Sequence, residues 1–325
     1  MARESFAIGA VRVRAGQTRS LELPIARLVS GGDATLPVRV VHGREDGPVV
    51  WIDAAVHGDE VVGVEVIRRV LAAVSPRTLR GTLVAVPVVN VLGFMTGDRY
   101  LPDRRDLNRS FPGSARGSLA SRIAHLLMTE VVARCDVGID LHTGSDRREN
   151  LPQIRADLDD PETLRLAEAF GAPVLLHARL RDGSLRQAAR EAGAIALLYE
   201  GGEALRIEEE PVVAGVAGVL RVLAALGMLD DALEASAPPA VARASGWVRA
   251  RGSGILQLDV ELGDRVERGA RMGRVADALG TSGRIVRADR DGIVIGVTRA
   301  PIVHAGDAVV HVAEVAPLAA HPSIE

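Results

Sequence analysis

Residues 48–67 read PVVWIDAAVHGDEVVGVEVI, an apolar run that ends in a short polar stretch and continues into a second apolar pattern. The first part is rich in Val, Ile and Trp and predicts a buried strand, whereas the second part spaces its apolar residues as on one face of a helix. His57 and Glu60 lie in the polar stretch between the two. The segment therefore predicts a strand, a turn and a helix, with a histidine and a carboxylate at the end of the strand.

The same alternation of strand and helix runs through the first two thirds of the chain. The predicted strands include LPVRVVHG, GTLVAVPVVNVLG, DVGIDLHTG, APVLLHA and AIALLYEGG, and the predicted helices include SLASRIAHLLMTEVVARC, PETLRLAEAF, GSLRQAAREAG and PVVAGVAGVLRVLAALGML. Such alternation predicts an α/β fold with a mostly parallel or mixed sheet sandwiched by helices. Sites in folds of this class lie outside the carboxyl ends of the strands.

The sequence pattern changes near residue 239. Residues 230–245, DDALEASAPPAVARAS, predict a linker, and the chain beyond them has short strands separated by Gly-Asp or Asp-Gly turns. Two similar units there each carry Gly-Asp-x-Val, at 263–266 and 306–309. They predict a small all-β domain that resembles a barrel-sandwich, although two unrelated hairpins are an alternative. We therefore expect a catalytic domain over residues 1–238 and a C-terminal β domain over residues 239–325.

The composition of the chain indicates in which cellular compartment the protein is expected. Hydrophobic residues make up 47% of the 325 residues and charged residues 25%, which is a globular balance. No uncharged apolar run reaches the ~20 residues that a membrane-spanning helix needs, and the start MARESFAIGA has no secretory pattern. The single cysteine, Cys135, cannot form an internal disulfide, as is typical of a reducing compartment. We expect a cytoplasmic protein.

Composition also excludes several chemistries. The chain contains no lysine, so all 39 basic residues are arginines. A Walker phosphate loop, a Schiff-base enzyme and a lipoyl or biotin carrier each need a lysine amine. The net charge of −3 and the aromatic content of 2% argue against a nucleic-acid partner. The β domain is thus expected to be structural, or to cover the active site, and not to carry a swinging cofactor.

Two histidines and a carboxylate are candidate metal ligands. His57 and Glu60 alone are a weak indication, since a solvated turn has the same pattern. The run GIDLHTGS, however, ends a second predicted strand at His142, in the same sheet. Catalytic zinc sites commonly use two histidines and one carboxylate and leave one position open. Asp140, two residues before His142, could hold the sheet edge or orient a neighbouring side chain.

Further candidates lie at other strand ends. In RDLNRSFPG, Asn108 and Arg109 offer amide donors and a planar guanidinium suited to a carboxylate, although a surface ion pair is the alternative for Arg109. In LLYEGGE a predicted strand ends at Glu200, and the two glycines that follow permit the close approach of a ligand. Glu200 is a candidate general base.

Taken in chain order, HGDE, DLNRSFPG, DLHTG and YEGG resemble the motifs of the succinylglutamate desuccinylase/aspartoacylase family, which has the zinc carboxypeptidase-like α/β fold. The resemblance covers about residues 35–230, and the barrel-like tail resembles the C-terminal domain of that family. It implies one Zn²⁺ per chain, a general base and a substrate-anchoring pair. The implied zinc ligands are His57, Glu60 and His142, the base is Glu200, and the pair is Asn108 and Arg109.

The resemblance also implies that Arg99 polarises the scissile carbonyl. The spacer between Arg99 and the Asn-Arg pair is two residues longer than in aspartoacylases, so Arg104 and Arg105 are alternatives. The run DLHTGS replaces the Asp-x-His-Asn-Thr-Thr of aspartoacylases. The further arginine and tyrosine that grip the aspartate moiety in that family have no clear counterpart here, with Arg186 and Arg190 as candidates for the arginine. These departures affect the substrate specificity and leave the metal chemistry intact.

The expected activity is hydrolysis of the amide bond of an N-acyl amino acid or a related small N-acyl amine. In this reaction the bound metal would activate a water molecule, and Glu200 would act as the general base. One alternative is a metallocarboxypeptidase or peptidase that acts on short peptides, and another is a metal-binding scaffold without turnover. The expected partner is a small molecule, with neither nucleic acid nor membrane, and the β domain offers an interface for a homo-oligomer.

Overall fold

The computed structural model describes residues 3–230, 237–280 and 282–315. The α-helices are α1 (Val62–Ala73), α2 (Val91–Thr96), α3 (Leu119–Glu130), α4 (Pro161–Phe170), α5 (Leu185–Glu191) and α6 (Glu209–Ala225), and 3₁₀ turns span Leu107–Arg109 and Val132–Arg134. The first ten strands are β1 (Phe6–Ile8), β2 (Val11–Val13), β3 (Gln17–Arg27), β4 (Asp33–His42), β5 (Glu45–Ala54), β6 (Arg80–Val86), β7 (Val137–Gly144), β8 (Arg148–Ala156), β9 (Val174–His177) and β10 (Ile195–Glu203). The others are β11 (Ala240–Ala242), β12 (Ala244–Arg249), β13 (Gly254–Leu258), β14 (Arg265–Val266), β15 (Arg271–Ala276), β16 (Gly283–Arg287), β17 (Gly292–Thr298), β18 (Ile302–Val303) and β19 (Ala308–Glu314).

A mixed sheet forms the centre of the fold. Its strand order is β12-β19-β17-β8-β10-β7-β5-β6-β4-β3, with β9, β11 and β14 attached. Strands β10, β7, β5 and β6 run parallel, and β4 and β8 flank them in the antiparallel sense. One face packs on α1, α4 and α6, and the other packs on α3 and α5. The predicted α/β fold with a mixed sheet between helices is confirmed.

Strands β5 and β7 are joined in a register that leaves no space for a side chain at one position. Trp51 lies opposite Gly138, and Asp53 lies opposite Asp140. A Cβ atom at residue 138 would lie 1.9 Å from the Trp51 ring, which is fully buried. Gly138 therefore makes room for the indole where β5 pairs with β7, the two strands at whose carboxyl ends the predicted metal ligands lie.

Strand β8 is an element that the sequence does not predict. It lies within residues 144–162, GSDRRENLPQIRADLDDPE, which contain no strand pattern. Its residues 153–156 pair with β9, and its residues 148–150 pair with β17. Pro152, which has no backbone N–H to donate, lies between these two ladders. The sheet therefore branches at Pro152, where one partner strand replaces the other.

The C-terminal region is rich in strands, as predicted. A four-stranded sheet, β16-β15-β13-β18, shares a valine-rich core with strands of the large sheet. In the two repeated units Gly263 and Gly306 have φ values of +90° and +95°. The carboxylate of the next residue, Asp264 or Asp307, accepts a hydrogen bond from the backbone N–H three residues earlier. The donors are Glu261 at 2.8 Å and His304 at 2.7 Å. The two units thus share one turn geometry, which supports a true repeat over two unrelated hairpins.

The C-terminal strands continue the large sheet. Strand β11, inside the predicted linker, pairs with β9, and β17 pairs with β8. The division into residues 1–238 and 239–325 stays a prediction. Residues 231–236 of the predicted linker lie outside the described residues.

Within the described ranges, the length and hydropathy of every helix fall short of those needed to cross a membrane. The longest, α6, has 17 residues.

We predict that Gly138→Ala lowers the free energy of unfolding by ~1–3 kcal/mol, the usual range for an overpacked core. The new methyl group must displace the Trp51 ring, and backbone hydrogen bonds fix both strands. Gly32→Ala is the matched control, because a Cβ there meets nothing within 4 Å. Urea denaturation measures both variants, and equal midpoints for Gly138→Ala and the wild type would contradict the packing described here.

Candidate active site

The predicted metal ligands meet at the carboxyl ends of β5 and β7. His57 and Glu60 lie in the turn between β5 and α1, and His142 lies near the end of β7. The three side chains are buried, with exposed fractions of 5%, 2% and 3%. One ligand atom from each lies within 4.8 Å of the others. The structure thus brings together all three residues that the sequence singled out.

The Glu60 carboxylate lies between the two imidazoles. Its Oε1 is 2.8 Å from Nδ1 of His57, and its Oε2 is 2.6 Å from Nδ1 of His142. The backbone N–H of Thr143 donates to Oε2 at 3.1 Å, and the hydroxyl of Ser145 donates to Oε1 at 2.6 Å. Two imidazole nitrogens and a carboxylate that converge beside an open cavity are the donor set of a catalytic zinc site. The residues therefore fit a zinc ion.

A carboxylate lies behind each imidazole. Nε2 of His57 is 3.2 Å from Oδ1 of Asp106. Nε2 of His142 is 2.9 Å from Oδ2 of Asp140, although their alignment falls outside that of a hydrogen bond. Carboxylates in this position fix the tautomer of a metal-binding histidine and raise its basicity. The sequence suggested this role for Asp140 and did not identify Asp106.

Burial and charge oppose each other at these groups. Burial raises the pKa of Glu60, but the charges and hydrogen bonds of His57 and His142 outweigh it and hold this pKa well below its usual range. Burial lowers the pKa of both imidazoles, but neighbouring carboxylates reverse the effect and raise each pKa above its usual value. A metal binds deprotonated imidazoles, so it would replace the imidazole protons as the charge that compensates Glu60.

The other four predicted residues line the same cavity as the ligands, and the cavity has a volume of ≈ 520 Å³. They are Arg99, Asn108, Arg109 and Glu200. Nη1 of Arg99 is 3.2 Å from Oε1 of Glu60. Arg104 and Arg105 are exposed and do not line the cavity. Of the three arginines that the sequence offered for this position, Arg99 is thus the one that lies in the cavity beside Glu60.

Glu200 lies on β10 directly opposite His142 in the parallel ladder, and the strand continues past it to Glu203. Its Oε2 accepts a hydrogen bond from Nδ2 of Asn150 at 2.7 Å, and its Oε1 is 3.7 Å from Nη1 of Arg155. Both partners come from β8. The sequence reasoning missed them because Pro152 interrupts the strand pattern there and no motif marks Asn150 or Arg155.

The Asn-Arg pair lies in the 3₁₀ turn Leu107–Arg109, which contacts the start of α5. Oδ1 of Asn108 accepts the backbone N–H of Leu185 at 2.9 Å, which fixes the side-chain amide. Of the two further arginine candidates, Arg186 lines the cavity, is 9% exposed and has an unpartnered Nη1. Arg190 does not line it and instead pairs with Asp157 at 2.9 Å. Only Arg186 is placed to contact a ligand.

The C-terminal region contributes Trp247 to the wall of the cavity. The Arg148 guanidinium lies 5.2 Å from the centre of a Trp247 ring. The His311 imidazole stacks on Trp247 with a distance of 4.7 Å between the ring centres. Burial, aided by nearby arginine charges, lowers the pKa of His311 to about 3, so this imidazole is neutral at physiological pH. The sequence predicted a cover from this region but identified neither aromatic residue.

The cavity has an excess of positive charge. Seven arginines line it, against the three acidic residues Glu60, Asp146 and Glu200. Burial lowers the pKa of Arg186, and the charge of Arg155 lowers it further. Guanidinium groups bind carboxylates in planar, bidentate geometry. The arrangement is suited to a ligand that carries at least one carboxylate.

Comparison with known proteins identifies the family. Residues 46–226, more than half of the chain, match the family described as the succinylglutamate desuccinylase/aspartoacylase catalytic domain. The chain belongs to the succinylglutamate desuccinylase/aspartoacylase family. The family resemblance of the four motifs is confirmed.

Relatives of known name or structure cover nearly the whole chain. The N-alpha-acetyl-L-2,4-diaminobutyric acid deacetylase of Halomonas elongata is 30% identical over 91% of this chain and 90% of its own. A succinylglutamate desuccinylase/aspartoacylase from Rhodobacter sphaeroides is 28% identical with a TM-score of 0.82, and the match covers 92% of this chain and 96% of that chain. The product-bound ectoine utilization protein EutE (DoeB) from Ruegeria pomeroyi is 25% identical with a TM-score of 0.84, covering 96% and 99%. The similarity therefore includes the C-terminal strands.

We predict that His57→Ala and His142→Ala each lose bound metal, because each removes one of three ligand atoms. Elemental analysis of the purified variants measures the metal content per chain. His177→Ala is the control, since His177 belongs to a second cluster with Asp157 and Asp159. Metal kept in the first two variants and lost in the control would place the metal in the second cluster.

Proposed function

We propose that the protein is a zinc-dependent hydrolase that cleaves the amide bond of an N-acyl amino acid. The observation that carries this proposal is one cavity that holds a two-histidine, one-glutamate ligand set, Glu200 and Arg99. The printed name of the Halomonas elongata relative, a deacetylase of an N-acetyl amino acid, supports the reaction class.

A zinc ion held by His57, Glu60 and His142 would supply the Lewis acidity that makes water a nucleophile near neutral pH. Glu200 takes the proton of the attacking water while the water oxygen bonds to the acyl carbon. The same carboxyl then gives this proton to the amide nitrogen as the carbon–nitrogen bond breaks, because an amide anion is a poor leaving group. The Arg99 guanidinium stabilises the negative charge that develops on the carbonyl oxygen.

Substrate selection rests on the arginines of the cavity. The side-chain amide of Asn108 and the guanidinium of Arg109 hold a substrate carboxylate, and Arg186 offers its unpartnered Nη1 to an anionic group. The name of the Halomonas elongata relative denotes a substrate with a second amine. Seven lining arginines disfavour a cationic side chain here. We therefore propose that this chain prefers N-acyl amino acids with a neutral or acidic side chain.

The cellular setting is part of the same proposal. A cavity of ≈ 520 Å³ with Trp247 on one wall suits a small molecule better than an extended peptide. The single cysteine, Cys135, is consistent with a cytoplasmic enzyme. Assembly into a homo-oligomer through the C-terminal strands remains an expectation.

We predict that Glu200→Gln lowers kcat by ~10²–10⁴-fold, the range of general acid–base catalysis, while zinc content and melting temperature stay unchanged. The amide has almost the same size but cannot accept the proton of water. Glu203→Gln is the matched control, because Glu203 lies on the same strand and does not line the cavity. Steady-state kinetics on the best substrate measure the effect. A Glu200→Gln enzyme with more than about a tenth of the wild-type kcat would identify another residue as the base.

We predict that N-acetyl-aspartate and N-acetyl-glutamate have a higher kcat/KM than N-alpha-acetyl-2,4-diaminobutyrate, by about tenfold or more. The reason is the positive charge of the cavity. Initial rates over a panel of N-acetyl and N-succinyl amino acids, with short peptides included, measure the preference. A preference for the diaminobutyrate substrate would show that Asp146 or Glu200 dominates side-chain recognition. Cleavage of the peptides alone would favour the peptidase alternative, and no turnover of any compound would favour the scaffold.

A further inference from the structure

We propose that Asn150 is a positioning residue that holds the Glu200 carboxylate in its working orientation, and that Gly296 of β17 makes room for Asn150. The C-terminal region would then act on the reaction through the general base as well as through the cavity wall. This inference rests on the proposed role of Glu200.

Asn150 lies where two β ladders meet. On one edge of β8 it is the partner of Gly202 in β10, and on the other edge it is the partner of Gly296 in β17. It is 6% exposed, and it lines the cavity together with Glu200. Its backbone is thus held between two strands, so its side-chain amide has a fixed origin.

The hydrogen bond from Asn150 distinguishes the two oxygens of Glu200. Nδ2 of Asn150 donates to Oε2 at 2.7 Å, whereas the nearest cation, Nη1 of Arg155, is 3.7 Å from Oε1. The last torsion of a glutamate is broad and nearly two-fold, so the carboxylate does not choose an orientation by itself. The hydrogen bond that the Asn150 side-chain amide donates to Oε2 sets this orientation and leaves Oε1 free to take a proton. Small errors in the placement of a reacting group commonly cost ~10²-fold in rate.

Gly296 is the residue that permits this arrangement. A Cβ atom there would lie 2.9 Å from Oδ1 of Asn150, 3.3 Å from Cβ of His311 and 3.5 Å from the Trp247 ring. The ladder between β17 and β19 is irregular just before Gly296. A methyl group at 296 therefore has to displace the Asn150 amide, since this is the one contact shorter than 3.0 Å and the other two neighbours, the buried His311 and the half-buried Trp247, stack on each other.

The test compares Asn150→Ala and Gly296→Ala with Gly283→Ala in the zinc-loaded, full-length enzyme. Gly283 also lies in a C-terminal strand, but a Cβ there has only ordinary contacts, at 3.6 and 3.7 Å. We expect kcat to fall about 10- to 100-fold in Asn150→Ala and about 3- to 30-fold in Gly296→Ala. KM stays within about threefold, and zinc content is unchanged, because neither residue contacts the ligands. Gly283→Ala behaves as the wild type.

A second measurement detects the hydrogen bond between Asn150 and Glu200 without enzyme turnover. The chain has three asparagines, Asn90, Asn108 and Asn150, so selective ¹⁵N-asparagine labelling gives three side-chain amide signals. Asn150→Ala assigns one of them. We expect this signal to move in Glu200→Gln and in Gly296→Ala and to stay in place in Gly283→Ala.

The outcomes separate this inference from the proposed function. An active Glu200→Gln enzyme overturns the proposed base and, with it, this role of Asn150. An inactive Glu200→Gln enzyme with an unchanged kcat in Asn150→Ala overturns the inference alone. A kcat loss in Asn150→Ala that comes with zinc loss, or with a raised KM and an unchanged kcat, also overturns it. If Asn150→Ala does not fold, an unchanged kcat and three unmoved asparagine side-chain signals in Gly296→Ala decide against the proposal.

Discussion

The loss of hydration of a buried carboxylate must be compensated by nearby charge and hydrogen bonds. The buried Glu60 therefore constrains where its partner side chains can lie. Its partners come from separate parts of the chain, since His57 follows β5, whereas His142 lies on β7 and Ser145 directly follows that strand. Removing one partner of a buried charge typically costs ~3–5 kcal/mol. The register of β5 against β7 is therefore coupled to the site, and a shift by one residue would separate the ligands and bring Trp51 against a side chain.

The sequence was sufficient for the α/β core because its strands and helices carry strong local patterns. The apolar runs before His57, His142 and Glu200 each end at the functional residue, so the order of motifs also locates the site. The contribution of β8 could not be found in this way. Pro152 breaks its pattern, and its pairing is decided by two distant strands, β9 and β17. Asn150 and Arg155 reach Glu200 only through that tertiary pairing, which no local propensity encodes.

The roles of Asp106 and Trp247 were missed for a related reason. Asp106 precedes the Asn-Arg pair in a loop, and only the folded loop shows that its carboxylate lies behind His57. Trp247 follows the predicted linker, so its sequence neighbours suggest a surface position. It reaches the cavity because β12, β19 and β17 extend the large sheet past β8. The pattern of short strands and Gly-Asp turns was enough to predict a β architecture for the C-terminal region. The attachment of this region to the core, however, depends on the pairing of β17 with β8 at Arg148 to Asn150.

The metal ligands and the arginine-rich walls come from different parts of the fold, and this separation has consequences for the family. The candidate ligands His57 and Glu60 follow β5, whereas His142 lies on β7 and Glu200 on β10, in the buried centre of the sheet. The elements that close the cavity are β8, the start of α5 and the C-terminal strands, and β8 joins them to the core because it pairs with β10 on one edge and with β17 on the other. Under the proposed function, this chain shares the reaction class of the 30% identical Halomonas elongata deacetylase, and the arginine-rich wall is where a different side-chain preference would arise. Under the proposed function, the charge of this wall, and not the candidate ligand set, would determine which N-acyl amino acid this chain accepts.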